Sequence, residues 1–215
     1  MAVITNYATL VQSIIDFTHR GDLAPFVDYF IQGAQEQINN DIIDRNEGNG
    51  IRYMEAPFSG TIDGTTGQAD IPTDWLTPKD MQVIQGSGQI GTLSFKSTAW
   101  MYANYFTRQP AGLPAYIARE SSHFIFGPFP DSAYDLQGTY FSTAPLLTSG
   151  ASTNWMVTNA PLVLQAACMM KAALFLRDTD LLKTWGAIYE GLLQPLVDRD
   201  KSERWSAATM QIEQG

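Results

Sequence analysis

Between Pro161 and Leu176 the chain reads PLVLQAACMMKAALFL, interrupted only by Gln165 and Lys171. At helical spacing this run is apolar nearly all round, and a helix without a polar face must be wrapped by other elements. It falls short of the roughly 20 apolar residues that cross a bilayer, so a buried core helix is expected and no membrane span. Pro161 fits the first turn, where its missing N–H is not needed, and Thr158 or Asn159 can cap the start. A second helix follows, with Asp178 as its cap and Asp180 in a first turn that favours acids. Its Leu182, Trp185, Tyr189, Leu192 and Leu196 recur at three- and four-residue steps and form one apolar stripe. Pro195 is expected to kink or end that helix, because it removes a hydrogen bond and crowds the carbonyl of Gly191.

A second helical pair lies at the N-terminal end. Tyr7, Leu10, Val11, Ile14, Ile15 and Phe17 fall largely on one helical face, with Thr5 or Asn6 as the cap and Gly21 as the stop. Asp22 can cap the next helix, with Pro25 in its first turn. Leu23, Val27, Ile31, Ala34 and Ile38 form its stripe, Phe26 and Phe30 lie beside it, and helix should persist to about Arg45. NEGNG, from Asn46 to Gly50, then breaks it.

From Ile51 to Thr153 helical periodicity disappears, and short aromatic and β-branched runs alternate with turn signals. The expected strands are Arg52–Ile62, Gln68–Ile71, Asp80–Gln85, Gly91–Lys96, Ala115–Glu120, His123–Phe126 and Asp135–Ser142, with hairpin turns at IDGTTG (Ile62 to Gly67) and QGSGQIG (Gln85 to Gly91) and one short helix at Thr98–Tyr105. The expected fold is therefore α+β. The N- and C-terminal helical pairs, residues 1–48 plus 154–204, close into a four-helix bundle, since the apolar helix needs neighbours on every side. Residues 49–153 form an inserted β-rich domain, sandwich-like or barrel-like. Residues 205–215 form a short polar tail, expected to be disordered unless something ties it down.

The bulk numbers exclude several function classes. At 215 residues and 45% hydrophobic content the chain is globular, one large domain or two small ones. A net charge of −9 argues against a nucleic-acid reader, which needs clustered Lys and Arg to neutralise phosphates. A single cysteine forbids an internal disulfide, and Cys168 reads as a small core residue. MAVITNYATL has no basic region followed by an apolar core, so no secretory signal is expected.

The motifs that carry chemistry are missing as well. His19 and His123 have no Cys, His or carboxylate at metal-ligand spacing, and no metal or cofactor site is expected. QGSGQIG lacks the strand–elbow–helix setting of a serine nucleophile. A glycosidase needs only two carboxylates, and the β segment offers Glu55, Asp63, Asp70, Asp74, Asp80, Glu120, Asp131 and Asp135. Nothing in the sequence pairs any two of them across a cleft, so no catalytic residue is assigned. Aromatics make up 12% of the chain, enough for sugar or base stacking, but filling a β core and subunit interfaces is the preferred reading.

Several strings, in order, resemble the bacteriophage head-to-tail adaptor, or connector, proteins. They are RGDL (Arg20 to Leu23) with FVDYFIQGAQEQINNDI (Phe26 to Ile42), then ADIPTDWL (Ala69 to Leu76) with MQVI (Met81 to Ile84). The most specific is GLPAYIARESSHFIFGPFPDSAYDLQGTYFSTAPLL, from Gly112 to Leu147, and NWMVTNAPLVLQAACMMKAALFLRD from Asn154 to Asp178 completes the set. The resemblance spans about Thr5 to Arg204. It implies a helical bundle with an inserted β domain, assembled as a ring of twelve copies around the DNA channel in the virion neck. The implied partners are further copies of the chain, the portal protein and a tail or nozzle protein, with assembly in the host cytoplasm and DNA passing at ejection without specific binding. It also implies a C-terminal tail that docks on the portal, which here would bury Trp205, Met210 and Ile212. The alternative, from the aromatics and carboxylates, is a virion-associated glycan hydrolase or glycan-binding tail module.

Overall fold

A computed structural model of the protein describes residues 3–86, 88, 90–107 and 109–208, with 204–208 by backbone alone. The chain is α+β, with six α-helices and two sheets among the described residues. It divides into a helical unit, which takes the chain to Met54 and again from Thr143, and a β unit, Glu55–Ser142.

In the helical unit α1 spans Tyr7–Thr18 and α2 spans Val27–Arg45. Asn6 is the cap of α1, in a capping box with Thr9: its side chain accepts from Thr9 N at 3.0 Å while Thr9 Oγ1 accepts from Asn6 N at 3.0 Å. The helix ends at His19, in the left-handed region (φ 51°), two residues before the expected stop at Gly21. Gly21–Phe26 forms a 3₁₀ turn, and Asp22 caps nothing, because Arg20 takes its carboxylate at 2.7 and 2.6 Å. Leu23, Val27, Ile31, Ala34 and Ile38 are all buried as their spacing predicts, and so are Phe30 and Ile42.

The C-terminal half begins with a short helix, α4 (Trp155–Asn159), capped by Asn154, which accepts from the N–H groups of Met156 and Val157. Thr158 and Asn159, expected as caps of the apolar helix, therefore lie inside α4. The apolar helix is α5, Pro161–Leu176, with Pro161 in its first turn and no side-chain cap. It packs against α1, α2 and α4, and against α6, Thr179–Ala208. Burying a side chain such as Leu164, which is fully buried, contributes about 1.5–3 kcal/mol. Gln165, the polar interruption in α5, donates to Ser13 Oγ of α1 at 2.6 Å, so its burial is satisfied. Buried Gln35 on α2 donates to Pro145 O at 3.0 Å and accepts from Leu147 N at 2.9 Å, holding the segment that leads back to α4.

Asp178 caps α6 as expected, accepting from the N–H groups of Asp180 and Leu181. Pro195 does not end this helix. Pro195 and Gly191 both lie on the exposed side, where water can satisfy the carbonyl that the ring deprives of a partner. The buried seam also falls one residue off expectation: Leu193 and Val197 are fully buried beside Tyr189, while Leu192 and Leu196 are half-buried. No described helix is long and apolar enough to cross a membrane.

The β unit contains β1 (Glu55–Ile62), β2 (Gln68–Asp70), β3 (Trp75–Ile84), β4 (Ile90–Thr92), β5 (Ser94–Phe95), β6 (Tyr116–Glu120), β7 (His123–Gly127) and β8 (Tyr134–Ser142), with α3 (Thr98–Tyr105) between β5 and β6. One sheet has the order β1-β8-β3-β4 and the other β2-β7-β6-β5. The named strands pair antiparallel except β5 with β6. The run expected as one strand, Gly91–Lys96, is divided between the sheets. Leu93, buried at the crossing, donates its N–H to Met81 O, and Ser94 then pairs toward β6. β3 starts at Trp75, not Asp80. Pro78 concealed that start, and irregular register on either side of Pro78 accommodates it. Of the Gln85–Gly91 turn, Ser87 and Gln89 lie outside the described residues.

Side chains from both sheets share one core. Trp75 stacks on Tyr140 with ring centroids 4.9 Å apart, and Phe124 meets Trp75 edge-on at 5.0 Å. Gly138 of β8 faces the register shift in β3, where a Cβ would lie 2.1 Å from Asp80 O. A side chain there is excluded by backbone, not by a movable neighbour.

Candidate functional site

Most of the carboxylates weighed for catalysis are engaged in structural contacts. Glu55 pairs with Lys79 at 2.7 Å, and Asp74 accepts from the Tyr140 hydroxyl at 2.9 Å. Asp131 accepts from the Tyr134 hydroxyl, and Asp135 from Thr61 Oγ1 at 3.4 Å. Asp63 accepts from the N–H groups of Thr65 and Thr66, and those bonds hold its carboxyl below the usual range. Burial, then the hydrogen bond it donates to Asp74, pushes the Tyr140 phenol up to about 12. Asp80 is exposed in β3.

Neither histidine gains a metal partner set. His19 is the αL residue after α1, and His123 Nδ1 lies 3.0 Å from Asp70 Oδ1 across the β2–β7 pairing. No group of three or more His, Cys, Asp or Glu able to hold a metal occurs among the described residues. Cys168 is fully buried, and burial pushes its thiol well up, so it is a packed core residue.

Among the described residues, two surfaces are the main candidates. The first is a cleft of about 190 Å³ in the β unit, walled by Tyr102, Tyr105, Phe106 and Phe129, with Gln68 and Glu120 as polar members. Glu120 accepts from the Tyr102 hydroxyl at 2.5 Å. A hydrolase of the two-carboxylate kind needs a second acid roughly 5–9.5 Å away. Glu120 is the one charged group among the described residues lining this cleft.

The second surface lies on the 3₁₀ turn before α2, on α2 and on α5 of the helical unit. Phe26, Tyr29, Leu174 and Phe175 are 44%, 71%, 54% and 48% exposed. Phe175 meets Phe26 at 4.8 Å and buried Phe30 at 5.5 Å, so one aromatic group runs from the core to the surface. Tyr29 also opens an open trench of about 570 Å³ along α2, past Gln32, Gly33, Glu36 and Asp41 to Lys171. Gly33 lets the Lys171 stem lie close to the helix, with Cε 3.4 Å from where a Cβ would stand. At the far end α2 is tied to α6. Tyr189 donates to Asp41 at 2.6 Å, and Arg45 pairs with Glu190 at 2.6 Å.

Spacing alone missed both surfaces. Phe26 reads as a residue beside the core stripe, and Leu174 and Phe175 as parts of a helix wrapped on all sides. A usable signal was Tyr29, an aromatic off the stripe of α2. The cleft had one too: Trp100, Tyr102, Tyr105 and Phe106 are more aromatics than one face of so short a helix can bury. In the C-terminal tail, Trp205 has a helical backbone in α6, while its side chain, Met210 and Ile212 lie outside the described residues.

A family model described as SU10 adaptor protein matches residues 5–212 of the chain. No curated protein matches it.

Proposed function

The chain belongs to the SU10 adaptor protein family of phage head-to-tail adaptors, and from that premise we propose that it is a non-enzymatic ring subunit joining the portal to the tail around the DNA channel. In this reading twelve copies assemble in the virion neck, and the two helical pairs act as a four-helix bundle that carries lateral contacts. The portal binds one end of the ring and a tail or nozzle protein the other. The tail residues Trp205, Met210 and Ile212 dock on the portal. The net charge of −9 suits a wall that lets DNA pass without gripping it.

The observation that carries the reading is the exposed apolar, largely aromatic surface of Phe26, Tyr29, Leu174 and Phe175. A closed ring needs two different lateral patches on every copy, since its contacts are head to tail. Aromatics joined to a buried core are suited to be one of them, because they bury much area with little loss of side-chain freedom. For the glycan-hydrolase alternative, the described residues lining the cleft supply one carboxylate, Glu120, where two are needed.

Tyr29→Asp tests this directly, because that side chain is 71% exposed and the substitution alters the surface more than the core. With the cognate portal present, the wild type should sediment as a ring on the portal, and Tyr29→Asp should stay unassembled with an unchanged circular dichroism spectrum. Full ring assembly by both Tyr29→Asp and Leu174→Asp would remove this surface from the account.

A further inference from the structure

The aromatic cleft of the β unit has a built shape. Gly67, at φ +68°, has no side chain, and the Phe129 ring occupies that place, 2.4 Å from where a Cβ would stand. Gly127 does the same for Tyr105, whose ring lies 2.6 Å from its missing Cβ. Two walls are thus seated directly on backbone. The rim consists of Tyr102 and Phe106, 50% and 79% exposed, so large aromatic faces stand in water around the mouth. Neither face is needed for the core of α3, which is anchored by Met101 at 2% exposure.

Size and charge together select the occupant. At about 190 Å³ the cleft is smaller than the roughly 300–1,000 Å³ pockets that enclose a whole drug-sized ligand. One long side chain suits it better than a run of sugar rings. A carboxylate offers about four acceptor sites, and the Tyr102 hydroxyl uses one of those on Glu120. An acid surrounded by aromatic faces attracts a cation by charge and by the ring quadrupoles. The same unit already shows that chemistry, with Lys96 Nζ 5.4 Å from the Trp100 ring centre and 5.7 Å from that of Tyr116.

We propose that this cleft is a socket for one cationic side chain, arginine or lysine, presented by a basic segment of a different protein, with Glu120 setting the preference for charge. A second copy is a poor donor, because the chain has 13 Lys and Arg against 22 Asp and Glu. The inference does not depend on ring formation, since one β unit contains every residue it uses.

The test is a titration of the ¹⁵N-labelled full chain with a pentapeptide carrying a central arginine between leucines. The same peptide with citrulline, the neutral isostere, is the control, and chitotetraose is the glycan probe. The arginine peptide should shift the amides of Tyr102, Phe106 and Glu120, and citrulline should bind at least about tenfold more weakly. Glu120→Gln should abolish that preference, and Phe106→Ala should weaken both peptides. Equal binding of the two peptides, an intact preference in Glu120→Gln, or no shift at the cleft would each overturn the proposal. Chitotetraose binding there without peptide binding would overturn it too, and would assign the cleft to glycans.

Discussion

The helical unit and the β unit solve the same packing problem over different sequence distances. In α2, burial recurs within one turn or two, from Val27 to Ile31, Ala34 and Ile38. In the β unit, Glu55 pairs with Phe141, and the core rings of Trp75, Phe124 and Tyr140 come from three separated strands. Local periodicity therefore carries the helical core, while the β core depends on contacts that no short window contains. The glycines show the contrast most sharply. Gly186 of α6 has open space where a Cβ would stand, whereas Gly138 of β8 has a backbone oxygen at 2.1 Å.

Substitutions can break this contrast. Gly138→Ala should have the largest effect, lowering stability by about 3 kcal/mol or more, because the obstructing atoms are backbone. A urea titration followed by near-ultraviolet circular dichroism would measure it, and an unchanged midpoint would show that β3 yields. Leu164→Ala, in the centre of α5, should cost about 3 kcal/mol through lost burial and a cavity, read from the urea midpoint at 222 nm. Gln35→Ala should cost about 2 kcal/mol by the same assay. It strands the Leu147 N–H, while Pro145 O keeps a second donor in Asn154 Nδ2 at 2.9 Å.

Alkali should act on both units through their tyrosines. Burial and Asp74 raise Tyr140 from 10.0 to about 12, and the hydrogen bond to Asp28, then burial, raises Tyr7 to about 12. Both phenols hold their protons more tightly when folded. Their contribution is complete below the unfolded value of 10.0 and declines as pH rises toward about 12. Urea midpoints measured from pH 9 upward should fall over that window, and Tyr140→Phe should flatten the decline in the β-unit signal. The smallest effect expected is a gain. Gly186→Ala should add about 0.8 kcal/mol, because alanine is the better helix former and meets nothing there.

The sequence reveals most where a residue's partners lie a turn away. The α2 stripe, the Asp178 cap and the burial of α5 follow from spacing. Pro195 reads as a terminator because spacing does not reveal that it faces water. Gly91–Lys96 reads as one strand because nothing local marks Leu93 as the crossing between two sheets. The exposed surfaces were less legible still. Apolar periodicity reports that Phe175 belongs to a helix needing neighbours, but not that Phe175 stands at the edge of the packing. Glu120 could be named as a carboxylate, but its aromatic surroundings come from elements that meet only in the folded unit.

The central claim is assembly, and particle mass tests it most directly. Native mass spectrometry of the full chain, alone and mixed with its cognate portal, should show the 23.8 kDa subunit joining the portal in twelve copies, with or without rings beforehand. A chain that stays monomeric and ignores the portal and every tail component would contradict the account.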